Sequence, residues 1–274
     1  MSIKRSIWGL HGLAPIWLQR TFALTPFVSL VLLYVIASDY RLEINPQDKL
    51  LPSLGQISDS VERLAFNPDP RTGDYILLKD TLSSLSRLGI GIGLASITGL
   101  LLGLNIGLIP ATRHLLMPFM TFISIVPPLA ILPILFITFG VDELAKVMLI
   151  FIGTFPLITR DIVLTVRTTP AEQITKALTL GATTTQVIYR IVMPQVLPKL
   201  IDTVRLSLGA GWLFLIASEA IASTDGLGYR IFLVRRYLAM DVIIPYVLWI
   251  TFLGFVIDWL LQQLIAKRFP WYRR

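Results

Sequence analysis

Two carboxylates stand inside otherwise apolar runs of this sequence: Glu219, in Ala217-Ser218-Glu219-Ala220, and Asp258, in Val256-Ile257-Asp258-Trp259. A charge among such residues is costly unless it is partnered or used, so both are candidates for binding, proton movement or gating. The remaining chemical inventory is thin. The absence of cysteine removes thiolate nucleophiles, disulfides, thiolate zinc sites and iron–sulfur clusters. The two histidines, His11 and His114, stand far apart, so a multi-histidine metal site is excluded. No Gly-x-x-x-x-Gly-Lys-Ser/Thr loop cradles a phosphate, no Gly-x-Ser-x-Gly elbow presents a nucleophile, and no carboxylate dyad is evident. The expectation is a chain with no catalytic site and no cofactor of its own.

The elements that must position these residues follow from composition. The 274 residues are 54% apolar and only 15% charged, with a mean hydropathy of +0.72. A soluble domain carries about 25% charged residues, so this chain lacks the polar atoms to cover a surface in water. Six segments approach the roughly 20 apolar residues needed to cross a bilayer: 22–38, 88–109, 117–139, 145–164, 206–222 and 242–264. The first is short, contains Pro26 and follows Lys4, Arg5 and Arg20; a cleaved signal peptide ending near Ala37-Ser38 is the alternative, although its positively charged start would be unusually long. The fold class is therefore an all-α membrane protein with about six transmembrane helices.

Orientation follows from the basic residues. With both termini in the cytoplasm, the inner segments hold Lys4, Arg5, Arg20, Arg113, Arg160, Arg167, Lys176, Arg190, Lys199, Arg205, Lys267, Arg268, Arg273 and Arg274, against only Asp161, Glu172 and Asp202. The opposite side, including the acidic stretch 39–80, is richer in Asp and Glu, and the positive-inside rule places it outside. The net charge of +7 is then a cytoplasmic skirt, with no clustered patch or aromatic motif for nucleic acid. Stretch 39–80 is too polar and proline-broken to span, and a weakly helical patch over 57–66 is expected to lie on the membrane surface. One membrane domain is the economical count, with 1–80 as an N-terminal segment carrying the first helix and 81–274 as the transmembrane domain.

Inside the membrane, Pro127, Pro128 and Pro133 must kink the third span, either as a static packing bend or as a bend lining a pathway. Gly89, Gly91, Gly93, Gly99 and Gly103 permit close helix approach in the second. Glu219 has Arg230, Arg235 and Arg236 as prospective partners, and Asp258 has Lys267 and Arg268. Trp212, Trp249, Trp259 and Trp271 read as interface anchors or packing residues, and Trp212 joins the prolines and Glu219 as a pathway or gate candidate.

The cytoplasmic stretch 160–200 never reaches spanning hydrophobicity yet has helical periodicity. Thr183 and Gln186 form a capping box, after which Val187, Ile188, Ile191 and Val192 share one face while Gln186, Tyr189 and Arg190 share the other. Gly181 occupies the corner after a helix over 172–180, where positive φ is commonly needed, and Pro194 and Pro198 are expected to stop the second helix. Periodicity alone leaves two readings open: an amphipathic helix lying on lipid, or a knob that docks on a partner.

The run from Lys176 to Pro198 resembles the signature loop of permease subunits of ATP-binding-cassette importers, which reads Glu-Ala-Ala, three residues, Gly, about nine residues, an aliphatic residue and then Pro. Ala177, Gly181, Ile191 and Pro194 occupy its alanine, glycine, aliphatic and proline positions, and the flavour Leu180-Gly-Ala182-x-x-x-Gln186-Val187 adds to the match. Gly226-Leu-Gly-Tyr229 and Ile125-Val-Pro-Pro-Leu-Ala-Ile-Leu-Pro133 are similar to those of the nitrate, taurine, alkanesulfonate and bicarbonate group. One departure is clear: the pattern's Glu falls on Thr175, and nearby Glu172 is its only local substitute. The resemblance implies a type I importer permease fold in a bacterial inner (plasma) membrane. It also implies cytoplasmic ATPase subunits that hold ATP and Mg, a second permease copy in a homodimer, and an extracytoplasmic solute-binding protein. The loop, with Thr175, Ala177, Gly181, Ala182, Gln186, Ile191, Pro194 and Pro198, would couple the ATPase to alternating access. The solute would be nitrate, a sulfonate or taurine, bicarbonate, or a urea- or guanidine-like nitrogen compound. The competing class, an ion-coupled secondary transporter, would have to use Glu219 and Asp258.

Overall fold

The computed structural model describes residues 15–46, 48–70 and 72–272, and no strand occurs among them. Lys4, Arg5, His11, Arg273 and Arg274 lie outside the described residues. The helices are α1 (Ile16–Ile44), α2 (Leu54–Ala65), α3 (Ile76–Leu108), α4 (Pro110–Ile125), α5 (Leu132–Phe139) after a 3₁₀ turn at Pro128–Ile131, α6 (Glu143–Arg167), α7 (Ala171–Thr179), α8 (Thr184–Gln186), α9 (Met193–Ile221), α10 (Leu227–Arg235) and α11 (Met240–Arg268). Five are long and apolar enough to cross a membrane: α1, α3, α6, the continuous run Thr184–Ile221, and α11. The sixth expected span is α4 together with 128–139, and it is bent by 84° at the proline break.

The centre of the bundle is α3 against α6. A Cβ on Gly91 would stand 2.7 Å from Ile150, one on Gly99 2.9 Å from Ile158, one on Gly103 2.6 Å from Ile162 and one on Gly107 2.6 Å from Val166. The constant register means that the two helices run parallel, and small residues on one let the branched side chains of the other seat against backbone. Gly89 and Gly93 do not take part, because nothing lies within 4 Å of their Cβ positions. They line an apolar groove of about 260 Å³ with Leu208, Ile257 and Leu261.

Several boundaries differ from the sequence expectation, and α1 itself extends six residues beyond the apolar run 22–38 at each end. Helix α3 begins at Ile76, twelve residues before the apolar run, because Asp80, Ser84 and Arg87 are satisfied inside the protein instead of by water. Helix α6 runs on to Arg167, so Arg160 is a helix-interior residue and not part of a cytoplasmic loop. Pro194 and Pro198 do not stop their helix. A π turn at Val187–Val192, with Met193 N–H reaching the Ile188 carbonyl, makes room for the Pro194 ring that a regular turn would drive into the carbonyl of residue 190. Stretch 57–66 is not a free surface helix either: α2 carries a Ser53–Gln56 capping box, ties Ser60 to Asp241, and turns Ile57, Val61 and Leu64 toward Trp249 and Phe252 of α11.

Candidate functional site

Polar residues of the bundle gather at two ends of the Thr184–Ile221 helix. At the end carrying Glu219, residues Asp80, Ser84 and Arg87 recur at helical spacing on one face of α3 and present two charges and a hydroxyl to the 222–230 turn. The Glu219 carboxylate is fully buried and accepts from Arg87 Nη1 at 2.7 Å, Ser84 Oγ at 2.8 Å and the Gly228 N–H at 2.8 Å. Ser84 also accepts from the Leu227 N–H at 2.8 Å. Arg87 is a hub, reaching Glu143 at 2.7 Å, the Asp225 carboxylate, and the Asp225 carbonyl at 3.0 Å. Lys146 links Glu143 at 2.9 Å to Ser223 at 3.1 Å. Beside this hub, buried Asp80 takes Arg230 at 2.9 Å, the Tyr246 hydroxyl at 3.0 Å and the Gly226 N–H at 3.0 Å.

The expected partners of Glu219 are thus corrected. Arg230 belongs to Asp80, Arg235 lies over the Phe232 ring at 5.0 Å, and Arg87 from a different helix takes the carboxylate. The Gly226-Leu-Gly-Tyr229 motif gains a physical reason. Gly226 has φ +115°, and a Cβ there would lie 2.5 Å from the Glu219 carboxyl carbon. Gly226 therefore serves both the conformation and the close approach. Asp258 is corrected too: Arg205 on α9 holds it through two bonds of 2.8 and 3.1 Å and also holds Asp202 at 2.8 Å, while Lys267 and Arg268 sit in the last turn of α11. Both carboxylates that an ion-driven carrier would require are therefore engaged by arginines. Trp212 packs in the bundle core near Gly254, and its Nε1 has no hydrogen-bond partner among the described residues.

At the opposite end, α7 closes on a Gly181 of φ +87°, with the Ala182 N–H bonded to the Ala177 carbonyl at 3.0 Å and the Gly181 N–H to the Leu178 carbonyl at 3.0 Å. The capping box follows: Thr183 N–H donates to Gln186 Oε1 at 2.9 Å, and the Gln186 N–H donates to Thr183 Oγ1 at 3.3 Å. Thr175, Gly181 and Gln186 are exposed; Ala177, Ala182 and Ile191 are half-buried; Pro194 is exposed and Pro198 buried. The expected docking face is corrected here. Val187, Ile188 and Val192 are buried against Leu104, Ile158, Ile162 and Val166 of the same chain, so they anchor the segment instead of offering it. The leucines it presents outward are Leu178 and Leu180, the latter 80% exposed. Leu178 follows Ile174 by one turn and Leu180 caps the helix, so helical spacing alone does not mark either as outward-facing.

The proline break joins neither end. Pro127 is the N-cap of the 3₁₀ turn, Pro128 opens that turn and Pro133 stands in the first turn of α5, positions that need no intrahelical donor. Just before the break, Ser124 accepts from Arg160 Nη1 at 2.8 Å and donates to the Thr121 carbonyl at 2.8 Å.

The family described as binding-protein-dependent transport system inner membrane component matches residues 91–269. The taurine transport system permease protein TauC of Escherichia coli strain K12 is 32% identical over 199 residues, which is 73% of this chain and 72% of that protein. The putative aliphatic sulfonates transport permease protein SsuC of Bacillus subtilis strain 168 is 29% identical, covering 69% of this chain and 68% of its own length. The bicarbonate transport system permease protein CmpB of Synechococcus elongatus is 28% identical over 68% of this chain and 67% of that protein. Among solved structures, the MetNI methionine ABC transporter, in inward-facing conformations, matches with a TM-score of 0.63 over 70% of this chain and 96% of that one. At 16% identity that likeness carries the fold alone.

Proposed function

Because the chain belongs to the family of binding-protein-dependent transport system inner membrane components, as an ABC importer permease of the taurine, aliphatic sulfonate and bicarbonate type with the type I fold, we propose that it forms the membrane pathway for one small polar solute. In this reading two copies enclose the pathway in a bacterial inner membrane, with both termini in the cytoplasm. Two ATPase subunits bind ATP and Mg below, and a solute-binding protein delivers from outside. Residues 81–274 are the transporter domain and 1–80 an accessory segment. Alternating access is driven by the partner's nucleotide cycle. The solute is a sulfonate or taurine, bicarbonate, nitrate, or a urea- or guanidine-like compound.

The observation that carries the coupling role is the rigid corner at Gly181. A short helix, a left-handed glycine and a capped second helix hold Leu178 and Leu180 outward, while Val187, Ile188 and Val192 root the segment in the bundle core. A knob built this way transmits a push without deforming. Glu172 stands exposed one turn before Thr175 and supplies a carboxylate near the position where the family pattern has one.

Reconstitution with the ATPase and binding protein tests the reading. Uptake of labelled solute is expected to require ATP; uptake that persists without ATP and follows an ion gradient would overturn it. Gly181→Pro removes the N–H to Leu178 and forbids φ +87°, so it is expected to abolish coupling while the chain still inserts. Unchanged transport in that variant would refute the docking role.

A further inference from the structure

The register of α3 on α6 sets the depth of Arg160. It falls between the Gly99–Ile158 and Gly103–Ile162 layers, level with the apolar run 88–109 and hence with the hydrocarbon. A charge at that depth is expensive and marks function by default. The other cations of α3, α6, α9 and α11 that are not in a last turn, Lys79, Arg87, Lys146, Lys199 and Arg205, each form a salt bridge. Arg160 forms none among the described residues, and its hydrogen bond goes to the Ser124 hydroxyl.

Helix capping does not account for it. Arg113, which does cap a helix, donates to the Ile106 and Gly107 carbonyls at the end of α3, whereas Arg160 donates to a side chain. A guanidinium has five N–H donors in a planar fork, so most of those on Arg160 remain for a second partner. Ser124, whose own proton is engaged by Thr121, fixes the fork in place. Arg160 is half-buried, and Ser124 immediately precedes the 84° break, where non-helical backbone at membrane depth belongs beside protein or a wet cavity.

We propose that Arg160, oriented by Ser124, is an oxyanion subsite on the solute pathway, so that the cargo carries a sulfonate, carboxylate, nitrate or bicarbonate group. This rests on the importer reading above and narrows it, since it excludes a neutral solute such as urea. A two-oxygen acceptor matches the fork, and low dielectric strengthens the charge-assisted bonds.

The test uses the complete transporter, with its ATPase and binding protein, in phosphatidylcholine vesicles with and without phosphatidylglycerol. Labelled taurine, ethanesulfonate, nitrate, bicarbonate and urea are the cargoes. The wild type is expected to take up at least one of the four oxyanion-bearing solutes. R160Q is expected to lower that uptake about tenfold or more while ATP hydrolysis stimulated by the loaded binding protein persists. R160K, which keeps the charge and loses the fork, is expected to transport at an intermediate rate. Wild-type uptake in R160Q or in R160K would overturn the proposal, as would urea being the only solute carried. A deficit that appears only with phosphatidylglycerol would also overturn it, because the ligand would then be a lipid headgroup. ATP-independent uptake by the wild type would sink the importer reading instead, a different result from any of these.

Discussion

The two arginine hubs of this chain fasten the same long helix at different levels, one at Glu219 in its last turn and one at Arg205 near its middle, and they differ in burial. Arg87 is 3% exposed and its partner Glu219 not at all, whereas Arg205 is 19% exposed and its partner Asp258 43%. An ion pair sealed from water can be separated only by leaving charges bare, which costs several kcal/mol. A half-exposed pair gives up its partner at less cost. The Arg87 hub is therefore a fixed clasp and the Arg205 hub a releasable one. The releasable hub is also the nearer of the two to the Gly181 corner, where the proposed ATPase contact would act.

The largest effect that can break this comparison is the loss of Arg87. R87M strands Glu219 without its cation and is expected to destabilise the protein by about 3–5 kcal/mol, read as thermal unfolding of the purified chain in detergent. Adding E219M should restore part of the loss, because the stranded charge goes too. Unfolding of R87M at the wild-type temperature would dissolve the distinction between the hubs.

The two glycine corners give the next contrast. G226A forces a left-handed backbone, about 1–2 kcal/mol, and adds a methyl against Glu219 and Arg87, about 1–3 kcal/mol more. G181A faces open space and carries the first cost alone. Equal melting temperatures for the two variants would mean that the contact with the clasp contributes nothing.

R205A sharpens the comparison from the other side. Its pairs are partly exposed, so the loss is expected to stay well below that of R87M, at about 1 kcal/mol, measured in the same unfolding assay. A loss as large as that of R87M would show that exposure does not set the strength of these hubs.

Much of this arrangement was legible in the residues. The apolar runs marked the spans, and the Thr183–Gln186 box and Gly181 marked the corner, because each rests on neighbours in sequence. The Arg87 clasp was not legible. Hydropathy averaging places Asp80, Ser84 and Arg87 in a polar approach to the membrane, although their helical spacing puts them on one face. Their partners come from far along the chain, and only the fold shows that α9 and the 222–230 turn meet that face. Pro194 misled for a related reason: a proline ends a regular helix, but a π turn absorbs it, and sequence periodicity does not announce the extra residue. Arg160 reads as a cytoplasmic cation because a charge near the end of an apolar run looks like its boundary.

A third clasp, whose cation is the most exposed of the three, sets the lower limit of the series. Asp48 accepts from the Leu50 N–H at 3.0 Å and from Arg41, and these bonds hold its carboxyl below the usual carboxylate range. The folded value lies below the unfolded one, so the stabilisation is fully present above about pH 4 and is lost as pH falls through the folded value. Arg41 is open to solvent, so the effect is expected to be the smallest of the set and confined to the 45–52 turn, which also receives α1 through Ser38 and Tyr34. Pepsin cleavage at this turn should quicken below about pH 4 in the wild type, while D48N should cleave at one rate across the same range once corrected for pepsin's own pH profile. A turn that opens equally in both proteins would remove Asp48 from the series and leave the two arginine hubs as the ends of the comparison.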